Sequence, residues 1–333
     1  MIIDKPYLLY LGDAPDQLAA KTADGLAYWR PEDCLGQLRL PDCKANVNLP
    51  DLSIAEAIAQ GAKTLIVGAA NRGGRYSETW FPDLRLALES GLDIASGLHQ
   101  RLTAIPGLAD MAAQWGKRLI DVRHPDDEFE VASGKKRPGN RLLTVGTDCS
   151  TGKMYTALAL ERELRSRGLR SDFRATGQTG ILIAGSGVCI DAVVADFIAG
   201  AAEALSPPND PDHWDLIEGQ GSLFHPSYAG VSLGLLHGSQ PQALVLCHEP
   251  TRRHLRGVPK YPVPDLEYCI AANEAAARLT NPEARCIGLS INTAALPEDE
   301  AEQLLQDTGD RLGLPCVDPL RTGVAPLADR ILR

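Results

Sequence analysis

Residues 142–167, LLTVGTDCSTGKMYTALALERELRSR, constrain this chain more than any other segment. An apolar run, Leu142–Val145, leads straight into Gly146-Thr-Asp-Cys-Ser-Thr-Gly152-Lys153. An amphipathic pattern follows, with Ala157, Leu158, Leu160, Glu161 and Leu164 at helical spacing. That order reads as strand, glycine-bounded loop, helix. Gly146 and Gly152 let the backbone turn tightly and approach an anion. The helix start offers unpaired N–H groups and a partial positive charge. Lys153 adds a full charge within reach of phosphate oxygens. The expected ligand is phosphorylated, a nucleotide or coenzyme A.

Two details separate this loop from the usual one. Five residues, 147–151, lie between its glycines where four are usual. Met154 stands where nucleotide hydrolases place a hydroxyl that ligates Mg²⁺, and a thioether is a poor ligand for a hard cation. The loop thus keeps its anion-binding parts and lacks a metal-binding one, which suits phosphates that are held and not cleaved. Its spacing and opening Gly-Thr-Asp resemble the dethiobiotin synthetase branch of P-loop proteins.

The rest of the chain alternates short apolar runs with longer amphipathic ones. Strands are expected at Tyr7–Leu11, Thr64–Gly68, Leu92–Ala95, Arg118–Val122, Leu142–Val145, Ser171–Ala175, Asp215–Glu218, Ala243–Cys247, Cys286–Ser290 and Pro315–Asp318. Helices are expected near Ser53–Gln60, Asp83–Ser90, Leu108–Trp115, Lys153–Arg167, Asp191–Leu205, Leu266–Leu279 and Pro297–Thr308. Such alternation argues for βαβ units and mainly parallel sheets. The charged stretch RHPDDEFEVASGKKRPGN, 123–140, shows no steady period and reads as a boundary. Two α/β domains follow: a Rossmann-like one over 1–135 and a P-loop NTPase-like one over 136–333.

Several segments fall just after strands, where an α/β site is built. SDFRATGQTG carries Arg174 and Gln178, and an arginine there suits a carboxylate or phosphate. IEGQGSLFHP carries Glu218, the Gly219–Ser222 turn and His225; histidine titrates near neutrality and is a candidate general base. DAVVADF holds Asp191 and Asp196 near a helix start. LCHEPTRRHLRG brings His248, Arg252, Arg253 and Arg256, a cluster suited to an acidic ligand or to a solvated helix face. LIVGAANRGGRYSETW places Arg72 and Arg75 in a second glycine-rich loop, and GLDIASGLHQRL adds His99. Cys149 sits in the phosphate loop, where a helix dipole would lower its pKa, but no base is evident beside it.

The composition narrows the partners. The 333-residue chain has a formal net charge of −10, the wrong sign for binding nucleic acid through bulk electrostatics. No apolar stretch approaches the roughly 20 residues that span a bilayer, and the first residues lack the basic start and cleavage pattern of a signal peptide. Eight cysteines form no C-x-x-C pair and read as buried reduced thiols. A cytoplasmic protein without nucleic-acid or membrane partners is expected.

GTDCSTGKM, RATGQTG, IEGQGSL, the NRGG loop and SGLHQRL together resemble a two-domain P-loop family long catalogued as a domain of unknown function. Its members include D-glutamate N-acetyltransferase. The resemblance spans nearly the whole chain, in the same domain order. It implies an N-acetyltransferase that moves an acetyl group from acetyl-CoA to the amine of an acidic amino acid. Coenzyme A carries a pyrophosphate and a 3′-phosphate for Gly146, Thr147, Asp148, Cys149, Ser150, Thr151, Gly152, Lys153 and Met154 to hold. Arg72, Arg75, Arg174, Gln178, Arg252 and Arg253 are candidates to bind the acidic substrate. Glu218 and His225 are candidate bases beside a catalytic Lys153. Backbone amides near Gly219–Ser222 or in the phosphate loop would stabilise an oxyanion. No metal is expected on this reading, and a homo-oligomer is. The competing readings are an ATP-dependent ligase or kinase, with Mg²⁺ on Glu218 and Asp191 or Asp196, and a nucleotide-sensing regulator without turnover.

Overall fold

The computed structural model describes residues 2–69, 74–124 and 128–332. The chain divides into two compact units, 1–127 with 177–192 and 128–176 with 193–333.

The first unit is built on a parallel sheet. Its strands are β1 (Tyr7–Gly12), β2 (Cys34–Arg39), β3 (Thr64–Val67), β4 (Asp93–Ser96) and β5 (Leu119–Asp121), in spatial order β2-β1-β3-β4-β5. Between them run α1 (Lys21–Trp29), α2 (Ile54–Ala59), α3 (Phe81–Glu89) and α4 (Leu108–Trp115). Leu8, Tyr10, Leu65, Val67 and Ile94 on one face of the sheet pack with Ile54, Leu84, Leu88 and Leu108 from α2, α3 and α4. The S-x-x-E pattern at 53–56 closes a capping box: the Glu56 amide donates to Ser53 Oγ, and Glu56 accepts from the Ser53 amide.

The second unit carries a six-stranded parallel sheet. Chain order runs β6 (Asn140–Gly146), α5 (Lys153–Ser166), β7 (Ser171–Arg174), α6 (Gln178–Ala184), α7 (Ile198–Leu205), β8 (Trp214–Ile217) and α8 (Ala229–Ser239). Then come β9 (Ala243–His248), α9 (Leu266–Arg278), β10 (Arg285–Ile291), α10 (Glu298–Leu312), β11 (Cys316–Val317) and α11 (Ala325–Ile331). The spatial order is β11-β10-β9-β6-β8-β7, which puts the strand that feeds the phosphate loop inside the sheet. Of these elements α6 belongs to the first unit, where it packs on α1. The sequence division at 135/136 assigns it to the second.

The boundary stretch is also more ordered than its composition suggests. From residue 128 it belongs to the second unit. Arg137 there is buried, donating Nε to the Ser206 carbonyl at 3.0 Å and Nη2 to the Gly238 carbonyl at 2.8 Å, beside Glu203. Charge signals solvent only when nothing inside the fold answers it.

Four helices and one strand escape the periodicity reading: α1, α6, α8, α11 and β2. Helix α8 shows why. Its sequence AGVSLGLLHGS has no clean apolar stripe, because it is wedged tightly against α7. A Cβ on Gly238 would lie 2.0 Å from the Ala199 carbonyl oxygen, so the two helices meet through bare backbone. The expected helix over 191–205 is conversely only Ile198–Leu205, preceded by two short 3₁₀ turns. All eight cysteines are free thiols, five of them buried. No helix among the described residues is long and apolar enough to cross a membrane.

Candidate phosphate site and its surroundings

Strand β6 ends at Gly146, and the chain turns through 147–152 before α5 begins at Lys153. A side chain at Gly146 would meet the Asp148 carbonyl and Thr151 Oγ1 at 2.8 Å and Lys153 Nζ at 2.9 Å. Ser150 and Gly152 take left-handed backbone, φ 54° and 98°. These turns leave the amides of Ser150, Thr151, Gly152, Lys153 and Met154 without a protein acceptor among the described residues. Five free amides at the head of a helix form an anion cradle.

Lys153 folds back over the loop. Its Nζ donates to the Asp148 carbonyl at 2.8 Å, and only 6% of the residue is exposed. Burial lowers its pKa, opposed by Cys247, Cys149, Asp148 and Glu218 nearby. A bound phosphate would supply the missing counter-charge. Met154 sits half-buried in the first turn of α5.

Asp148 braces the loop and is itself almost wholly buried. Its Oδ1 accepts from the Cys149 amide at 2.7 Å, and its Oδ2 accepts from Arg252 Nη1 at 2.6 Å and from the Arg256 amide at 2.8 Å. Arg252 Nη1 also donates to the Cys149 carbonyl at 2.6 Å, and Arg256 to Ser150 Oγ. The segment after β9 therefore clamps the loop from outside. Arg252→Ala would leave a buried carboxylate without its cation. We expect a loss of about 3 kcal/mol, the low end for breaking a buried pair, because two backbone amides still hold Asp148. A lowered Tm together with weaker phosphate-ligand binding would register it.

Other candidates are occupied differently from the sequence reading. His225 is buried with both ring nitrogens engaged: Nδ1 accepts from the Ser227 amide at 3.2 Å, and Nε2 lies 2.9 Å from the Arg256 carbonyl. That pattern fixes the Nε2–H tautomer and leaves no lone pair to take a proton. Glu218 is buried, with Oε2 accepting from the Thr176 amide at 2.9 Å, and it anchors the end of β7. The Gly219 amide donates to Thr144 Oγ1 at 2.9 Å, so it is not available to an oxyanion. Arg174 Nε pairs with buried Asp215 at 2.7 Å and Nη2 reaches Asp172, so its guanidinium is spent within β7 and β8. Arg252 serves the loop, as above. Arg253 is exposed, as is Arg75 in the first unit. Arg72 lies outside the described residues. Gln178 heads α6 in the first unit.

The thiol of Cys149 is pushed up by burial, against Lys153, Arg256 and Arg252. Burial therefore outweighs the neighbouring cations and argues against a standing thiolate. Asp148, Cys149 and His225 do bring ligand-type atoms within 4.8 Å of one another. With the carboxylate and imidazole already bonded, the set offers a cation little beyond that thiol. Asp191 accepts from Arg123 within the first unit, and Asp196 is exposed on a 3₁₀ turn.

One residue gains importance from the fold. His248 ends β9, and its Nδ1 lies 3.0 Å from Thr147 Oγ1, inside the phosphate loop. Its Nε2 has no protein partner among the described residues. Burial lowers its pKa, with Glu249 opposing and Arg252 assisting, so the ring is neutral at pH 7. The sequence reading grouped His248 with the arginines that follow. Its position directly after an apolar strand was the available signal.

Fold and loop together define a two-unit α/β protein with a Rossmann-like sheet and a P-loop sheet. Two family models match in that order: the DUF1611 Rossmann-like domain over residues 39–125 and the DUF1611 P-loop domain over 130–328, both described as domains of unknown function. The chain belongs to this DUF1611 family. It is 55% identical over 330 residues to a D-glutamate N-acetyltransferase of Tritonibacter scottomollicae, covering 99% of each chain. It is 51% identical over 324 residues to a protein of the same name from a Pseudoalteromonas species, covering 97% of this chain and 98% of that one. A crystal structure of a DUF1611 family protein from Anabaena variabilis superposes with a TM-score of 0.85 at 33% identity, over 99% of both chains.

Proposed function

We propose that this protein transfers the acetyl group of acetyl-CoA to the amine of D-glutamate. The observation that carries this is similarity above 50% along nearly the whole chain to two proteins named for that activity. The site supports it. Five free amides and a buried lysine suit the phosphates of coenzyme A, and Met154 removes the hydroxyl that a hydrolytic Mg²⁺ would need.

In the reaction an ammonium first loses a proton to a base. The freed amine attacks the thioester carbonyl, a C–N bond forms, the C–S bond breaks, and the thiol leaves with a proton. His248 Nε2 is the base that this geometry favours, because it is neutral, unpartnered and tied through Thr147 to the phosphate loop. His225 and Glu218 are already engaged, His225 with the Arg256 carbonyl and Glu218 with the Thr176 amide.

Purified protein given acetyl-CoA and D-glutamate should release free thiol and form N-acetylglutamate without added nucleotide or metal. Thiol release no faster than background across a panel of acidic amino acids would overturn the assignment. Substrate-stimulated ADP formation in its place would favour the ATP-dependent reading.

A further inference from the structure

The first unit holds a cavity of about 210 Å³ that the phosphate site does not use. It opens beyond the carboxyl ends of β3 and β4, lined by Val67, Gly97 and His99, with Lys21 and Thr22 from the head of α1 and Gln178 from the head of α6. The strand order β2-β1-β3-β4-β5 reverses direction between β1 and β3, and open α/β sheets bind ligands at such switch points.

The described lining carries basic groups and no acidic one. Among the described residues, Lys21, His99 and Arg123 are its only ionisable side chains, and no carboxylate lines it. The Lys21 ammonium, the His99 ring and the Gln178 amide have no protein partner among the described residues. Among the described residues Arg123 is held only by long contacts, Nη1 to Asp191 at 3.3 Å and Nε to the Gly97 carbonyl at 3.4 Å. Unpaired donors around a cavity await acceptors. The volume is below the roughly 300–1,000 Å³ of pockets for drug-sized ligands, which suits a small acid better than a coenzyme.

We propose that this cavity is a carboxylate-binding subsite, and that it takes the acidic amino-acid substrate through Lys21, Arg123 and Gln178. The assignment rests on the acetyl-transfer reading above and places its acceptor in the first unit. It also moves substrate recognition away from Arg174 and Arg252, both already paired.

The test uses the full-length protein with Lys21→Gln and Gln178→Ala. Neither side chain holds the fold together, and thermal melting verifies that both variants stay folded. KM for D-glutamate should rise roughly tenfold or more in each, the usual consequence of losing a hydrogen bond to a charged group. The Kd of acetyl-CoA, measured by calorimetry, should not move. An unchanged KM in both variants, with wild-type turnover intact, overturns the subsite and spares the activity. If wild-type protein releases no thiol, the activity reading fails, and direct titration with D-glutamate judges the cavity. Binding heat lost in Lys21→Gln supports the cavity; no binding to wild type overturns it.

Discussion

His248→Gln is expected to lower kcat by about 10²–10⁴-fold, the span that a positioned general base contributes. Glutamine can keep the hydrogen bond to Thr147 Oγ1 but cannot accept a proton at neutral pH. The phosphate loop should therefore stay intact, with acetyl-CoA binding unchanged. The pH profile carries the sharper information. Burial lowers the His248 pKa below its ordinary value, and a base works only when deprotonated. Activity should thus fall on the acid side with a midpoint below about 6.5, and His248→Gln should abolish that limb. A variant with wild-type kcat would return the base role to another group.

Lys153→Met is expected to weaken acetyl-CoA binding by about 10–100-fold, as for a lost charge-assisted hydrogen bond. Stability should move the other way. The lysine pKa is lowered in the folded protein, so the unfolded chain binds the proton more tightly. Wild-type stability should then rise with pH from the folded pKa up to the unfolded one. Below that window the buried ammonium is a burden, and Met, similar in length and uncharged, removes it. The variant should melt no lower than wild type without ligand, yet gain less from added acetyl-CoA. An equal ligand-induced rise in Tm for both proteins would show that the phosphates bind elsewhere.

The second expectation comes from a loop that was legible in the sequence. Gly146, Gly152 and Lys153 could be read because a helix head with bare amides is local, fixed by residues adjacent in the chain. Most strands were legible for a related reason. In a parallel sheet covered on both faces, strands are short, unbroken apolar runs such as Leu142–Val145 and Ala243–Cys247. Where burial is by close backbone contact, as in α8, small residues replace the apolar stripe and the pattern disappears.

The roles of the charged residues were not legible, because they depend on partners far along the chain. Arg174 and Arg252 look alike in sequence, and each follows or ends a strand. The first is consumed by Asp215, 41 residues away, and the second by Asp148, 104 residues away. His225 and His248 both follow glycine-rich or apolar strand ends, yet only the second keeps a free nitrogen. By itself the sequence determined the two-domain α/β architecture, the phosphate loop and the loop's missing hydroxyl, all written in contiguous residues. Tertiary structure decided which cations and imidazoles are spent on holding the fold and which remain free for a ligand. Charge and hydrogen-bond pairing act through space, and residue type alone does not reveal who the neighbour is.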